Sequence, residues 1–216
     1  MEYSSMVDVK KHTCFSVKKH EIFPTLVHEF DIKISSYELS NMIYYIKNGD
    51  DGKKGLYQTA DDLHVLSFFK SFRENILDLN REILDDLGYD YEGIIITNMW
   101  GNIMRAGGYF PPHTHSNNFL SGVYYLSAEG DTAPIQFFDP RVQSSILVPK
   151  RKTNTIYNSS MMQFNSVTGK GFIFPSWLQH WVRTNETERM SLSWNIQVNG
   201  HYGEPHTLQN AYIKEK

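Results

Sequence analysis

The chain of 216 residues carries a net charge of −3 and a single cysteine, Cys14, so its length serves one sizeable core and it lacks the basic excess that phosphate surfaces demand. One cysteine cannot form an internal disulfide, which suits a reducing compartment. No apolar run approaches the roughly 20 residues of a membrane span and the opening MEYSSMVDVKKHTCFSV lacks the apolar core of a signal peptide, so a cytoplasmic protein that binds neither nucleic acid nor membrane is expected.

Residues 22–34 read as a strand or extended lead-in. Ser35 with Glu38 forms a capping-box pattern, which opens a short helix through about Lys47. A polar, turn-rich loop, GDDGKKG, follows at 49–55. Thr59 with Asp62 resembles a second helix start. Behind it Val65, Phe69, Phe72, Ile76, Leu79, Ile83 and Leu87 recur every three or four residues, which puts them on one helical face, and Gly88 supplies the stop. Such a helix needs a sheet to lie against.

From residue 91 the pattern turns to short β-rich runs at 93–100, 108–115, 119–127, 134–138, 144–148, 161–167, 171–174, 180–182 and 188–198. Turn residues separate them at the intervals of an antiparallel sandwich or barrel. Helices first and strands afterwards predict an α+β chain. Residues 1–90 would form a helical support and 91–200 the barrel core of a single domain spanning 1–216.

Two stretches carry chemistry. In Pro112-His113-Thr114-His115 the two imidazoles are two residues apart, so on a strand they point to one side about 6.6 Å apart at the backbone. Rings so placed can converge on one metal. An isolated His-x-His is as often a pair of ordinary polar residues at a strand end. The second stretch runs from Gly171 to Asn195 and holds His180, Arg189, Ser191 and Ser193. In its last strand Arg189, Ser191, Ser193 and Asn195 alternate with Met190, Leu192, Trp194 and Ile196, so one face is polar. If a hairpin turn centres on Asn185-Glu186, Val182 pairs with Arg189 and His180 with Ser191, which places His180 and Arg189 one diagonal step apart on that face. The gap suits a five-carbon dicarboxylic keto acid. Its keto-acid end would lie on the metal and its far carboxylate on the guanidinium fork.

These stretches resemble the 2-oxoglutarate- and Fe(II)-dependent dioxygenase superfamily near its prolyl-hydroxylase-like members, and more closely the 2OG-Fe(II) oxygenases of bacteria and phages. The resemblance rests on His113-Thr-His115, Tyr124-Tyr125-Leu126, Phe174-Pro175 ahead of His180, and Arg189, and covers roughly residues 91 to 198. It implies a double-stranded β-helix, a jelly-roll or cupin-like barrel, with Fe(II) as cofactor and 2-oxoglutarate as cosubstrate. By resemblance His113 and His180 are iron ligands and Arg189 binds the far carboxylate, helped by Ser191 or Ser193 and Tyr125.

The family normally has Asp or Glu where His115 stands. An imidazole there raises the charge of the site by one relative to the usual two-histidine, one-carboxylate set. Asp139, in Phe-Phe-Asp-Pro-Arg, is the alternative third ligand, though Asp-Pro more often marks a turn and Asp139 with Arg141 also reads as a local ion pair. Trp100 and Asn102 can line the keto-acid end or the substrate pocket. His20, His28 and His64 show no ligand spacing and are read as structural, and Lys150-Arg-Lys as a solvated loop. The expected reaction is hydroxylation of an unactivated C–H bond with O2, in a prolyl or other protein side chain or in a small molecule. Loops near 49–58, 101–107 and 139–160 would contact the substrate. Two readings compete with it: a three-histidine cupin dioxygenase without cosubstrate, and a non-catalytic barrel that binds. Oligomeric state is not legible.

Overall fold

A computed structural model describes residues 16–214; Cys14 and the lead-in before it lie outside the described residues. After strand β1 (His28–Asp31) comes helix α1 (Ser36–Asn48). Ser35 caps it as the sequence suggests: its hydroxyl accepts from the Glu38 N–H at 3.2 Å, and the Glu38 carboxylate accepts from the Ser35 N–H. Strand β2 (Leu56–Gln58) precedes helix α2 (Lys70–Asp86). The remaining strands are β3 (Gly93–Met104), β4 (Phe110–His113), β5 (Leu120–Ala128), β6 (Ile135–Phe138), β7 (Met161–Phe164), β8 (Lys170–Pro175), β9 (His180–Val182), β10 (Arg189–Tyr202) and β11 (Ala211–Ile213).

The strands build two antiparallel sheets, a large one in the order β1-β8-β5-β10-β3-β2 with β11 on the end of β10, and a small one in the order β4-β9-β6-β7. This is the double-stranded β-helix. The alternation along β10 decides what each face of the large sheet meets. Met190, Leu192, Trp194 and Ile196 face outward and share a core with Met42 and Ile46 of α1 and Phe72, Ile76, Ile83 and Leu84 of α2. Two glycines make that layer possible. A Cβ on Gly101 would press into the Ile46 side chain, and one on Gly122 would overlap the Trp194 indole. The opposite face of the sheet looks into the barrel, where Val123, Tyr125, Phe137, Phe172 and Phe174 pack together.

Four expectations are corrected. Helix α2 begins at Lys70 rather than near Thr59, after two 3-10 turns at Leu63–Val65 and Ser67–Phe69. The Thr59 hydroxyl is taken by the Gly101 N–H at 3.0 Å and so caps nothing. Of the seven periodic residues, Phe69, Phe72, Ile76 and Ile83 are buried, while Val65 (63% exposed) and Leu87 (38% exposed) lie beyond the helix ends. Gly88, at φ 74°, does stop the helix. Second, no strand forms at 144–148: a 3-10 turn occupies Val142–Ser145 and Ile146 and Leu147 are exposed, in a segment bracketed by Pro140 and Pro149, which lack the N–H groups a ladder needs. Third, residues 101–104 belong to β3 rather than to a loop.

The fourth concerns the site. β9 and β10 do not form a hairpin: β9 pairs with β4 and β6 in the small sheet, and β10 with β3 and β5 in the large one. The connection is a corner between sheets, organised by buried Asn185. Its amide reaches the Met104 carbonyl at 3.1 Å and accepts from the Ala133 N–H at 2.8 Å. His180 and Arg189 therefore face each other across the barrel instead of sitting one step apart on a ladder.

Candidate metal centre

His113 ends β4, directly paired with His180 on β9, which in turn pairs with Phe137 on β6. His115 stands just beyond β4, with its backbone N–H bonded to the Ser176 carbonyl at 2.9 Å. Among the described residues these three form the one group whose ligand atoms could hold a metal, all within 4.8 Å of one another.

The second ring nitrogen of each is already engaged. Nδ1–H of His113 donates to the Pro111 carbonyl at 2.7 Å, that of His180 to the Leu178 carbonyl at 2.9 Å, and that of His115 to Asn195 Oδ1 at 2.5 Å. These bonds leave Nε2 as the free lone pair on every ring, which is how outer partners orient imidazole ligands. Nε2 of His115 is buried with no hydrogen-bond partner, and a cation bound there would satisfy its lone pair. Burial pushes the His180 ring down to about 3, and burial likewise lowers His115. Both rings are thus neutral near pH 7, the form a metal requires. The donor set fits a first-row divalent ion such as iron.

Inside the barrel the three central strands of the large sheet line up their inward side chains in rungs. Ser191 pairs with Asn102 and Tyr125, Ser193 with Trp100 and Val123, and Asn195 with Asn98 and Ser121. Arg189 lies one rung beyond Ser191, between Met104 and Ala128. Trp100 stacks on the His115 ring, with centroids 6.0 Å apart. One cavity is bordered by all three histidines together with Trp100, Tyr125, Arg189, Ser191 and Ser193.

Arg189 is 3% exposed and, among the described residues, no carboxylate pairs with it. Its Nη1 donates to the Ala133 carbonyl at 2.8 Å and to Ser166 Oγ at 2.7 Å, while its Nε has no partner. The Tyr125 hydroxyl, buried on the same cavity, is likewise unpaired. A buried cation without a counter-charge is costly, and burial accordingly lowers its pKa. Guanidinium and phenol together offer a carboxylate what it needs.

The structure therefore brings together nearly every residue singled out in the sequence. Asn102 stands one step back: its amide donates to Ser193 Oγ at 3.1 Å and accepts from Gln58 at 2.9 Å, and it orients the serines without bordering the cavity. Asp139 stays outside the metal group, held by the Arg141 guanidinium through two bonds of 3.0 and 2.9 Å, by the Arg141 backbone N–H at 3.0 Å and by the Ser144 hydroxyl. That pairing lowers its pKa to about 2. Asp139→Ala is expected to leave Fe(II) affinity within a few-fold of wild type, as isothermal titration would show; a large loss would return Asp139 to the ligand set. Ser166 and the Ala133 carbonyl, which anchor Arg189, carry no motif, since they come from loops that only the fold brings to β10. Asn195 was visible by its parity with Arg189, but its bond to His115 was not.

Residues 98–195 match the family model described as "Putative 2OG-Fe(II) oxygenase". Among solved structures, a 2OG-Fe(II) oxygenase family oxidoreductase from Burkholderia pseudomallei is 16% identical with TM-score 0.57, covering 79% of this chain and 84% of its own. A prolyl-4-hydroxylase from Pseudomonas putida is 13% identical with TM-score 0.59, covering 82% and 94%. HygX from Streptomyces hygroscopicus, solved with nickel, 2-oxoglutarate and hygromycin B, is 11% identical with TM-score 0.55, covering 80% and 83%. No curated protein matches. The stretch that carries every side chain of the metal centre and its cavity, residues 98–195, is thus the one that matches the 2OG-Fe(II) oxygenase family model, and the chain shares the fold of these solved oxygenases.

Proposed function

We propose that this oxygenase hydroxylates an unactivated C–H bond, with His113, His115 and His180 holding Fe(II) and Arg189 with Tyr125 holding the far carboxylate of 2-oxoglutarate. The observation that carries the reading is the buried, unpaired Arg189 on the same cavity as three imidazoles whose Nε2 atoms are free. A three-histidine dioxygenase without cosubstrate has no use for that cation.

Iron with 2-oxoglutarate and O2 supplies the oxidising power: the keto acid becomes succinate and CO2, one oxygen atom entering succinate and the other the C–H bond. The protein's part is to bind, orient and exclude water. The guanidinium fork and the phenol fix one end of the keto acid. Ser191 and Ser193, set by Asn102, offer hydroxyls along its length. Phe110, Phe174 and Val182 give the cavity apolar walls, which keep water from the reacting centre.

The substrate we favour is a protein side chain, prolyl foremost, in keeping with the likeness to the Pseudomonas putida prolyl-4-hydroxylase. We place the reaction in the cytoplasm, where a reducing setting keeps iron ferrous; no helix among the described residues is long and apolar enough to cross a membrane. Succinate release should be measured across proline-bearing peptides, free amino acids and small metabolites. Stimulation by peptides supports the assignment, and stimulation by small molecules alone would overturn it.

A further inference from the structure

The inward rung at Asn195 lies next to the metal centre, yet it lines neither the metal nor the keto-acid cavity. Asn195 is 6% exposed, and it sits between Asn98 on β3 and Ser121 on β5. We propose that Asn195 is a positioning residue which fixes the tautomer and aim of the His115 ring, through a one-way hydrogen-bond chain that starts at Asp61. The inference rests on the metal reading above and deepens it.

A carboxylate of Asp61 can only accept, so the amide nitrogen of Asn98 must face it, at 3.4 Å. The carbonyl oxygen of Asn98 is then left facing β10, where Asn195 Nδ2 donates to it at 2.8 Å. This leaves Asn195 Oδ1 pointing the other way. There it accepts from Ser121 Oγ at 2.7 Å and from His115 Nδ1 at 2.5 Å. The Ser121 hydroxyl also bonds Ser176 Oγ at 2.7 Å, and the Ser176 carbonyl holds the His115 backbone N–H. His115 is thus gripped at ring and backbone by one connected polar group. Because Asn195 can present only an oxygen there, the ring carries its proton on Nδ1 and keeps Nε2 for the ion. His113 and His180 obtain the same result from backbone carbonyls two residues away. Only the third ligand, the one that replaces a carboxylate, depends on a side chain from the facing sheet.

The full chain, labelled with 15N-histidine, should be examined by two-bond 1H–15N NMR before any metal is added. His115 is expected as the Nδ1–H tautomer, and an Nε2–H ring would overturn the proposal whether or not any variant folds. Co(II) titration then compares wild type, Asn195→Leu and Asn195→Asp. The leucine variant offers no acceptor and should bind Co(II) about 10–100-fold more weakly, as losses of outer partners do. Its Cu(II) electron paramagnetic resonance spectrum should show two imidazole nitrogens instead of three. The aspartate variant keeps an oxygen for Nδ1–H; exposed Asp61 can swing into solvent and release half-buried Asn98 to turn its amide nitrogen toward the new carboxylate, so three nitrogens and most of the affinity should return. Wild-type affinity with three nitrogens in the leucine variant would overturn the role. If wild type binds no Co(II), the metal reading falls, while the tautomer spectrum still decides what Asn195 does.

Discussion

In an Arg189→Ala variant, 2-oxoglutarate is expected to bind roughly two to four decades more weakly than in wild type, with Fe(II) affinity unchanged. Removing one partner of a buried charge pair typically costs about 3–5 kcal/mol, at about 1.4 kcal/mol per decade. Arg189 qualifies because it is buried and unpaired by any carboxylate among the described residues, with Nε and the Tyr125 hydroxyl both unused. Its Nη1 is committed to the Ala133 carbonyl and Ser166, which fixes the remaining edge of the fork toward the cavity. Arg189→Lys should recover only part of the loss, since an ammonium cannot reproduce that shared geometry. Because truncation also removes the Arg189 donor from Ser166 and leaves the Ala133 carbonyl with the Ser166 hydroxyl alone, each variant needs a thermal unfolding control. Paired titrations with Fe(II) and with 2-oxoglutarate separate the two effects. Unchanged keto-acid binding in the alanine variant would remove Arg189 from the site.

The second large effect concerns the iron itself. His180→Ala should lower Fe(II) affinity by more than about 100-fold, beyond the range that loss of an outer partner produces. The barrel should still fold, since Phe174 and Phe137, whose centroids lie 4.7 and 5.8 Å from the ring, and the His113 and His115 rings beside it all remain, and the one hydrogen bond lost is that to the Leu178 carbonyl. His115→Ala should also weaken binding strongly. His115→Asp restores the usual charge of such sites, but it sets a carboxylate against Asn195 Oδ1, an acceptor facing an acceptor. It should therefore recover only part of the affinity. Iron retained at one equivalent per chain in His180→Ala would take the distal ligand out of the centre.

The sequence makes the site legible to an unusual degree because the chemistry sits in two short stretches. Parity along β10 correctly gathers Arg189, Ser191, Ser193 and Asn195 on one face, and the His-x-His spacing places both rings at the end of β4. What misleads is the link between the stretches. A polar turn between two strands reads as a hairpin, yet Asn185 spends its amide on Met104 and Ala133 from other parts of the chain, and the chain crosses to the other sheet. No local pattern reports such a corner. The start of α2 fails for a similar reason, since the Thr59 hydroxyl is claimed by Gly101 on β3. The anchors of Arg189 are invisible in sequence because one is a backbone carbonyl and the other a serine in an unremarkable loop. Tertiary contacts, rather than local propensity, decide each of these.

Anaerobic addition of Fe(II) and then 2-oxoglutarate to the purified chain, followed by visible absorption, tests the central claim most directly. A metal-to-keto-acid charge-transfer band should grow to saturation at one iron and one 2-oxoglutarate per chain, and should be absent from both His180→Ala and Arg189→Ala at the same concentrations. Stoichiometric iron binding with no band at any 2-oxoglutarate concentration would contradict it.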